Sequence, residues 1–376
     1  MIADSYRVRG LERVLTPALA IYDAAVDHNI EATVRAFGGD PDRWRPHIKT
    51  AKAGYVVKKY VKRGIRAMKC ATTLELATAC EAGADDALLA YPVVGANAER
   101  VREIAAKYRN ARVSALIENA AQAEAWRGSK VGTFVDVNPG MNRTGIDQDG
   151  IAAVVNLVCG LPDFRGLHYY DGHMHIANLD ARRAAAHAGY SKLMLIVDAL
   201  EAAGCAVSEV ITAGTPALVC AASVAPCASG RFTHRISPGT VVFGDMTSLQ
   251  ELPPELGYKP AVFVIATVVS HPLPTRATCD AGHKSVSADA GVPTCGVLGH
   301  DTWTPLKPSE EHLPIDVPAG EPLPGIGTHL YLLPRHVCPT VNNFDDALII
   351  RNGEIAGLER ITSRGHESPM VLSRTA

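Results

Sequence analysis

The sequence predicts an α/β protein, a (β/α)8 TIM-type barrel joined to a smaller β-domain. Three observations predict it. Eight short apolar runs alternate with Ala-rich segments of helical period between residues 45 and 245, and the composition changes near residue 255. The chain of 376 residues also has room for one barrel of about 250 residues and a second, smaller unit.

The eight strand candidates are RPHIKTA (45–51), AMKCAT (67–72), DALLAYPV (86–93), RVSALIE (112–118), TFVDVN (133–138), FRGLHYYD (164–171), SEVITAGT (208–215) and RISPGTVVFGD (235–245). Between them lie segments such as TLELATACEAGA and YSKLMLIVDALEAAG, with apolar residues at i, i+3, i+4 and i+7 and a closing Gly suited to a C-cap. A doubly wound open sheet has the same local pattern, so periodicity alone leaves that alternative open. PALAIYD (17–23) precedes the series as a ninth strand candidate. Beyond about residue 255 helical periodicity fades, Pro and Gly thicken, and VFVIATVVS (262–270), HLYLLPR (329–335), DALIIRNGEI (346–355) and PMVLS (369–373) read as strands of a small all-β unit.

Composition excludes several classes. With 47% hydrophobic and 20% charged residues and a formal net charge of −2, the chain is neither disordered nor fibrous. It also lacks the excess of Lys and Arg that nucleic acid or an anionic membrane surface requires. Nine single cysteines, at 70, 80, 159, 205, 220, 227, 279, 295 and 338, suit a reducing compartment rather than a disulfide framework. MIADSYRVRG lacks the apolar core of a signal peptide, and no run approaches the ~20 apolar residues of a membrane span. A soluble, cytoplasmic protein is expected.

In a (β/α)8 barrel the chemistry sits at the C-terminal ends of the strands. Lys49, in RPHIKTAK, is either a solvated edge charge or an amine held for Schiff-base chemistry, with His47 or Lys52 as a neighbouring cation that would favour its neutral form. TAGTP (212–216) and SPGT (237–240) are either ordinary turns or, with Gly214, Thr215, Gly239 and Thr240, a phosphate cradle. Arg143 is a surface loop residue or a group that steers a carboxylate or touches a cofactor. His173 and His175, in YYDGHMH, are loop histidines, acid/base groups or metal ligands. His336 and Cys338 in HVCPTVNNFDD would share one face of an extended segment and suit a borderline-soft cation, whereas a buried Cys beside a hydrogen-bonded His is the plainer alternative. The other eight cysteines are expected to be small core residues.

In order, RPHIKTAK, GMNRTG, YYDGH, TAGTP, SPGTVVFGD and HVCPTVNNFDD resemble the motifs of the fold-type III pyridoxal-phosphate enzymes of the D-threonine aldolase and D-serine dehydratase group. The resemblance runs from PALAIYD to RNGEI. It implies an alanine racemase-like barrel over 24–252, a β-domain built from 1–23 with 253–376, and a homodimer. It further implies that Lys49 forms the Schiff base with pyridoxal 5'-phosphate, and that Arg143 and Tyr170 contact the cofactor, Tyr170 near the pyridine nitrogen. Gly214, Thr215, Gly239 and Thr240 would hold the phosphate, and His336 and Cys338 a divalent metal such as Zn, Mn or Mg. The implied substrate is a D-3-hydroxy amino acid such as D-threonine, D-serine or 3-hydroxy-D-aspartate. Two outcomes are open, β-elimination with Lys49 as base and retro-aldol cleavage with His173 or His175 as base. The H-x-C pair is similar to the dehydratases, whereas typical aldolases carry H-x-D, and Ala51 and Ala213 are further departures. An amino-acid racemase and a non-catalytic pyridoxal-phosphate carrier are the alternatives on the same barrel.

Overall fold

The computed structural model describes residues 4–161, 163–224 and 230–369. Strand β1 (Ala18–Tyr22) comes first and stands apart from the barrel. The barrel strands are β2 (Ala67–Cys70), β3 (Asp86–Pro92), β4 (Arg112–Ile117), β5 (Gly132–Asn138), the short β6 (Ile146–Asp147), β7 (Phe164–Tyr169), β8 (Glu209–Thr212) and β9 (Thr233–Ile236). Strands β2, β3, β4, β5, β7, β8 and β9 pair in that order, parallel throughout, while β6 adds to β5.

The first run, 45–51, departs from expectation because it forms no regular strand. Trp44 bridges Ile236 of β9 and His47 bridges Lys69 of β2, which closes the curled sheet on itself. Pro46 has no N–H to donate, and the chain turns over residues 48–51 into Lys52, at φ 51°. The eighth run is also shorter than expected. Pro238 and Gly239 end β9, and Thr240–Val242 is a 3-10 turn.

Helices between the strands follow their sequence signals. The Thr72 hydroxyl caps Thr73–Glu81 by accepting from Glu75 N, and Asn178 caps Leu179–Ala202 in the same way through Ala181 N. Gly83 and Gly204 take left-handed φ values of 95° and 78° just past the two helix ends. Inside the barrel Leu88, Leu116, Phe134 and Ile211 pack together. At its N-terminal end the fully buried Arg45 pairs with Asp86 at 2.8 Å and with Glu209 at 2.8 Å. This leaves the C-terminal end for chemistry.

The second sheet comprises β10 (Val262–Leu273), β11 (Arg276–Cys279), β12 (Cys295–Val297), β13 (Thr304–Pro305), β14 (Leu313–Asp316), β15 (His329–Pro334), β16 (Asp346–Arg351) and β17 (Glu354–Arg360). Its order is β13-β14-β11-β10-β1-β16-β17, with β15 joining β10 to β12. Strand β1 runs antiparallel to β10 and parallel to β16, with Leu19 to Tyr22 buried. An apolar run between two partners has neither face in water, which is why LAIY carries no polar alternation. Strands β11 to β14 are too short for a period-2 pattern to be read. Of PMVLS, residues 370–373 lie outside the described residues. Among the described residues no helix is long and apolar enough to cross a membrane.

Candidate active site

A cavity of about 300 Å³ opens where the C-terminal barrel loops meet the second sheet's α-turn. Lys49, Tyr170, Gly214, Thr215, Gly239 and Thr240 line it from the barrel, and His336 and Cys338 line it from the other side. Residues spread over 290 positions of sequence thus share one space, because loops after the first, sixth, seventh and eighth barrel runs converge at one end.

The two Gly loops are shaped by close approach. A Cβ on Gly239 would lie 2.5 Å from the His47 carbonyl oxygen and 2.9 Å from Thr50 Oγ1, and one on Gly214 would lie 2.9 Å from the Tyr170 ring. Ala213, between Thr212 and Gly214, takes φ 61°, a conformation that costs an L-residue on the order of 1–2 kcal/mol. Its carbonyl accepts a 2.8 Å hydrogen bond from Ser237 Oγ, which ties the two loops together. Thr215 Oγ1 is buried and has no hydrogen-bond partner among the described residues. A buried hydroxyl so placed beside two glycine loops is a donor with room to serve a bound acceptor.

Lys49 sits in the turn that ends the first run, with Nζ 5.6 Å from the centroid of the Tyr170 ring. Lys52 Nζ donates to the Lys49 carbonyl and, at 3.3 Å, to that of Cys338, so this turn is fixed against the start of the helix that carries Cys338. His47 does not supply the neighbouring cation considered above. Burial, then the charges of Lys49 and Lys69, hold its imidazole neutral. Arg143 stands over the same Tyr170 ring at 5.0 Å, in a loop next to the cavity rather than in its wall.

Lys69 and its partners carried no motif and were missed. Its Nζ, from β2, lies 4.8 Å from the Tyr170 centroid, donates to Ser237 Oγ at 2.6 Å, and is 3.3 Å from His168 Nε2. His168 Nδ1 is 2.7 Å from Asp136 Oδ1, and Asp136 Oδ2 accepts from Thr144 at 2.8 Å. Burial first, then Lys49 and Arg143, depress the Lys69 pKa well below the usual lysine value. The one available signal was a Lys at an inward position of an otherwise apolar run.

His336 and Cys338 do face one another, though not along an extended segment. His336 is the N-cap of the helix Val337–Val341 and Cys338 lies in its first turn. Asp245 holds this turn by accepting from Val337 N at 2.9 Å while also capping the helix Met246–Glu251. Burial alone would raise the Cys338 pKa, but its hydrogen bond with His336 and the Lys49 and Lys52 charges hold the thiol below its usual value. Burial would likewise lower the His336 pKa, yet Cys338 and Asp289 push it up to about 9. Asp289 Oδ2 lies 2.6 Å from His336 Nδ1, a carboxylate–imidazole pairing of the kind that orients metal-binding histidines. Asp289 was not legible, since 47 residues separate it from its partner.

The two histidines of YYDGHMH part company. Both are exposed, but His175 lines the cavity and pairs through Nδ1 with Glu251 Oε1 at 2.5 Å, whereas His173 lies outside the lining. The chain turns over residues 172–173, and the His175 N–H donates to the His173 carbonyl at 2.8 Å. Two cysteines expected in the core are not there. Cys159 is exposed and Cys205 half-buried, and Cys227 lies outside the described residues.

The alanine racemase N-terminal domain model matches residues 21–247, and the putative serine dehydratase domain model matches 261–350. The chain belongs to the fold-type III pyridoxal-phosphate enzymes of the D-threonine aldolase and D-serine dehydratase group. Within this family it is 30% identical over 372 residues to a D-threonine aldolase of Arthrobacter sp., covering 94% of each chain. It is 24% identical to the D-threo-3-hydroxyaspartate dehydratase of Delftia sp. strain HT23, over 88% of this chain and 92% of that one. The crystal structure of D-threonine aldolase from Filomicrobium marinum superposes with a TM-score of 0.84 at 26% identity, covering 93% and 96% of the two chains. Members of this family are pyridoxal phosphate-dependent enzymes, and the chain is a lyase of that kind.

Proposed function

We propose that the chain cleaves D-3-hydroxy amino acids of the D-threonine type between Cα and Cβ, giving glycine and an aldehyde, with pyridoxal 5'-phosphate and a divalent metal as its cofactors. The observation that carries this reading is that one cavity holds the Lys49 amine, the His336–Cys338 pair and His175 with its carboxylate partner. Pyridoxal phosphate would supply an electron sink for charge developing at the substrate Cα, and the metal a Lewis acid for the β-oxygen. The residues fit both groups. Thr215 Oγ1 is an unfilled buried donor between two glycine loops, and a thiol of lowered pKa beside an oriented imidazole is a donor pair for a borderline-soft cation.

On this reading Lys49 bonds the cofactor aldehyde, while Arg143 and Tyr170 fix its ring. Gly214, Thr215, Gly239 and Thr240 receive the phosphate, and His336 and Cys338 ligate the metal. His175 takes the proton of the substrate β-hydroxyl, and Glu251 holds the imidazole in the required tautomer and stabilises its cation. His173, outside the cavity, has no such part. The zwitterionic substrate suits the near-balanced charge of the chain, and the protein is read as a cytoplasmic homodimer that binds neither nucleic acid nor membrane.

A second reading is favoured by one observation, the thiol at position 338 where a typical aldolase carries a carboxylate. In that reading Lys49 removes the proton at Cα and the β-hydroxyl departs, giving ammonia and a 2-oxo acid. Product analysis with D-threonine, D-serine and 3-hydroxy-D-aspartate decides. Glycine plus aldehyde is the expected result, and 2-oxo acid plus ammonia establishes the second reading. An L-enantiomer alone, or no turnover by cofactor-loaded protein, overturns both.

A further inference from the structure

We infer that Cys159 and Cys205 form a thiol pair that a peroxide or a small-molecule disulfide converts to an intrachain disulfide on the barrel surface, remote from the candidate active site. Their Sγ atoms lie 3.2 Å apart, one thiol donating to the other. A disulfide bond is about 2.05 Å long, so the sulfurs need approach by only about 1 Å. Side-chain rotation supplies this, because two helix ends already hold the backbones in place. Cys159 is the C-cap of the helix Ile151–Val158, its N–H bonded to the Val155 carbonyl at 3.0 Å. Cys205 follows the helix Leu179–Ala202, where Gly204 at φ 78° turns the chain and the Cys205 N–H bonds the Leu200 carbonyl at 2.9 Å. That left-handed glycine brings the second thiol to the first.

Access selects this pair. Cys159 is exposed and Cys205 half-buried, whereas Cys70, Cys80, Cys220, Cys279, Cys295 and Cys338 are buried. An oxidant must reach a sulfur before it can react, and exposure singles out this pair. The chemistry balances without any group from the active site. One thiolate attacks a hydroperoxide oxygen, the O–O bond breaks with release of an alcohol or water, and a sulfenic acid forms. The second thiol then attacks that sulfur, the S–S bond forms, and water leaves. The two thiols together lose two electrons and the peroxide gains them. With a small-molecule disulfide as oxidant, two equivalents of its thiol leave instead, and a dithiol reductant reverses the bond.

The bond would close a loop that contains β7 and the Tyr170 segment, between two helices that pack side by side. Closing a loop of this size constrains the unfolded chain. The test uses the cofactor-loaded, full-length protein treated with stoichiometric hydrogen peroxide or oxidised glutathione. The expected result is a mass loss of two hydrogens, a non-reduced peptide linking Cys159 to Cys205, and a midpoint of thermal unfolding raised by a few degrees and restored by dithiothreitol. Cys159→Ser and Cys205→Ser should each abolish the linked peptide and the rise in midpoint while leaving turnover of untreated protein unchanged. The inference is overturned if Cys338 oxidises while this pair stays reduced. It is equally overturned if Cys159 and Cys205 are capped separately, or if the only product is a cross-linked dimer.

Discussion

The Lys69 Nζ lies 4.8 Å from the centroid of the Tyr170 ring, buried to within 1% of full enclosure. Its folded-state pKa is depressed, by burial first and then by Lys49 and Arg143. Between that value and the ordinary 10.5 the unfolded chain binds a proton that the folded chain does not, so stability rises with pH across that window. Lys69→Met should remove this dependence, giving a flatter slope of urea midpoint between about pH 7 and about pH 9 than the natural protein. Lys69→Arg keeps a charge that cannot be shed, and is expected to be the more destabilising change. Equal slopes for the natural protein and the Met variant would show that the amine is charged when folded.

Asp289, itself outside the cavity lining, holds His336 through the 2.6 Å contact to Nδ1. Asp289→Asn should lower metal affinity by roughly 10–100-fold while leaving cofactor binding intact. Chelation of the natural protein should likewise abolish turnover and preserve the visible absorption band of the cofactor, whereas Lys49→Ala should remove the band. Titration with a competing chelator and an absorption spectrum of the same sample check both. Loss of the band on chelation would show that the two groups share their binding residues.

At the opposite end of the barrel Arg45 pairs with Asp86 and Glu209, all three buried. Arg45→Met removes the one fully buried cation of the cluster, leaving Asp86 only Arg112 and Glu209 only Arg235, and is expected to cost about 3–5 kcal/mol. Burial alone would raise the Asp86 pKa, but Arg45 holds it below the ordinary 3.8. That stabilisation is present above 3.8 and is lost as pH falls through the lower folded-state value. The variant should therefore lack this acid-side loss. Its kcat/KM should stay near that of the natural protein once folded, because the cluster is at the end of the barrel away from the cavity.

Asp171 titrates in the opposite sense. Burial lifts its pKa to about 6, opposed by the hydrogen bond that Tyr190 donates at 2.6 Å. From about 4 to about 6 the folded chain holds a proton that the unfolded chain has released, so stability falls as pH rises through this window. Asp171→Asn keeps an acceptor for Tyr190 and should abolish the fall. Unfolding midpoints at about pH 4, 5 and 6.5 would reveal it, and a parallel fall in the variant would assign the effect to another group.

The barrel and its adjoining sheet were legible because burial imposes periods of 2 and 3.6 on the sequence. Seven of the eight runs and the place of PALAIYD as a strand follow from local chemistry. So does the candidacy of Lys49, His336 and Cys338, since reactive residue types stood at strand ends or at close spacing. Where local geometry differed from expectation, backbone chemistry explains it. Pro46 and Pro238 cut two runs short, and the His336–Cys338 pair meets across a helix start rather than along a strand.

Tertiary structure alone decided the rest. Whether His173 or His175 faces the cavity depends on a turn of two residues, which leaves no trace in periodicity. Lys69, Asp289, Glu251 and Asp245 acquire their significance from partners distant in sequence, and no spacing rule reaches across elements that only the folded barrel brings together. The surface thiols Cys159 and Cys205 read as core residues for the same reason, because each ends a helix whose neighbour is fixed by packing. Local sequence determined the elements and the reactive types. Their convergence and their charge states were set by which side chains the closed barrel removes from water.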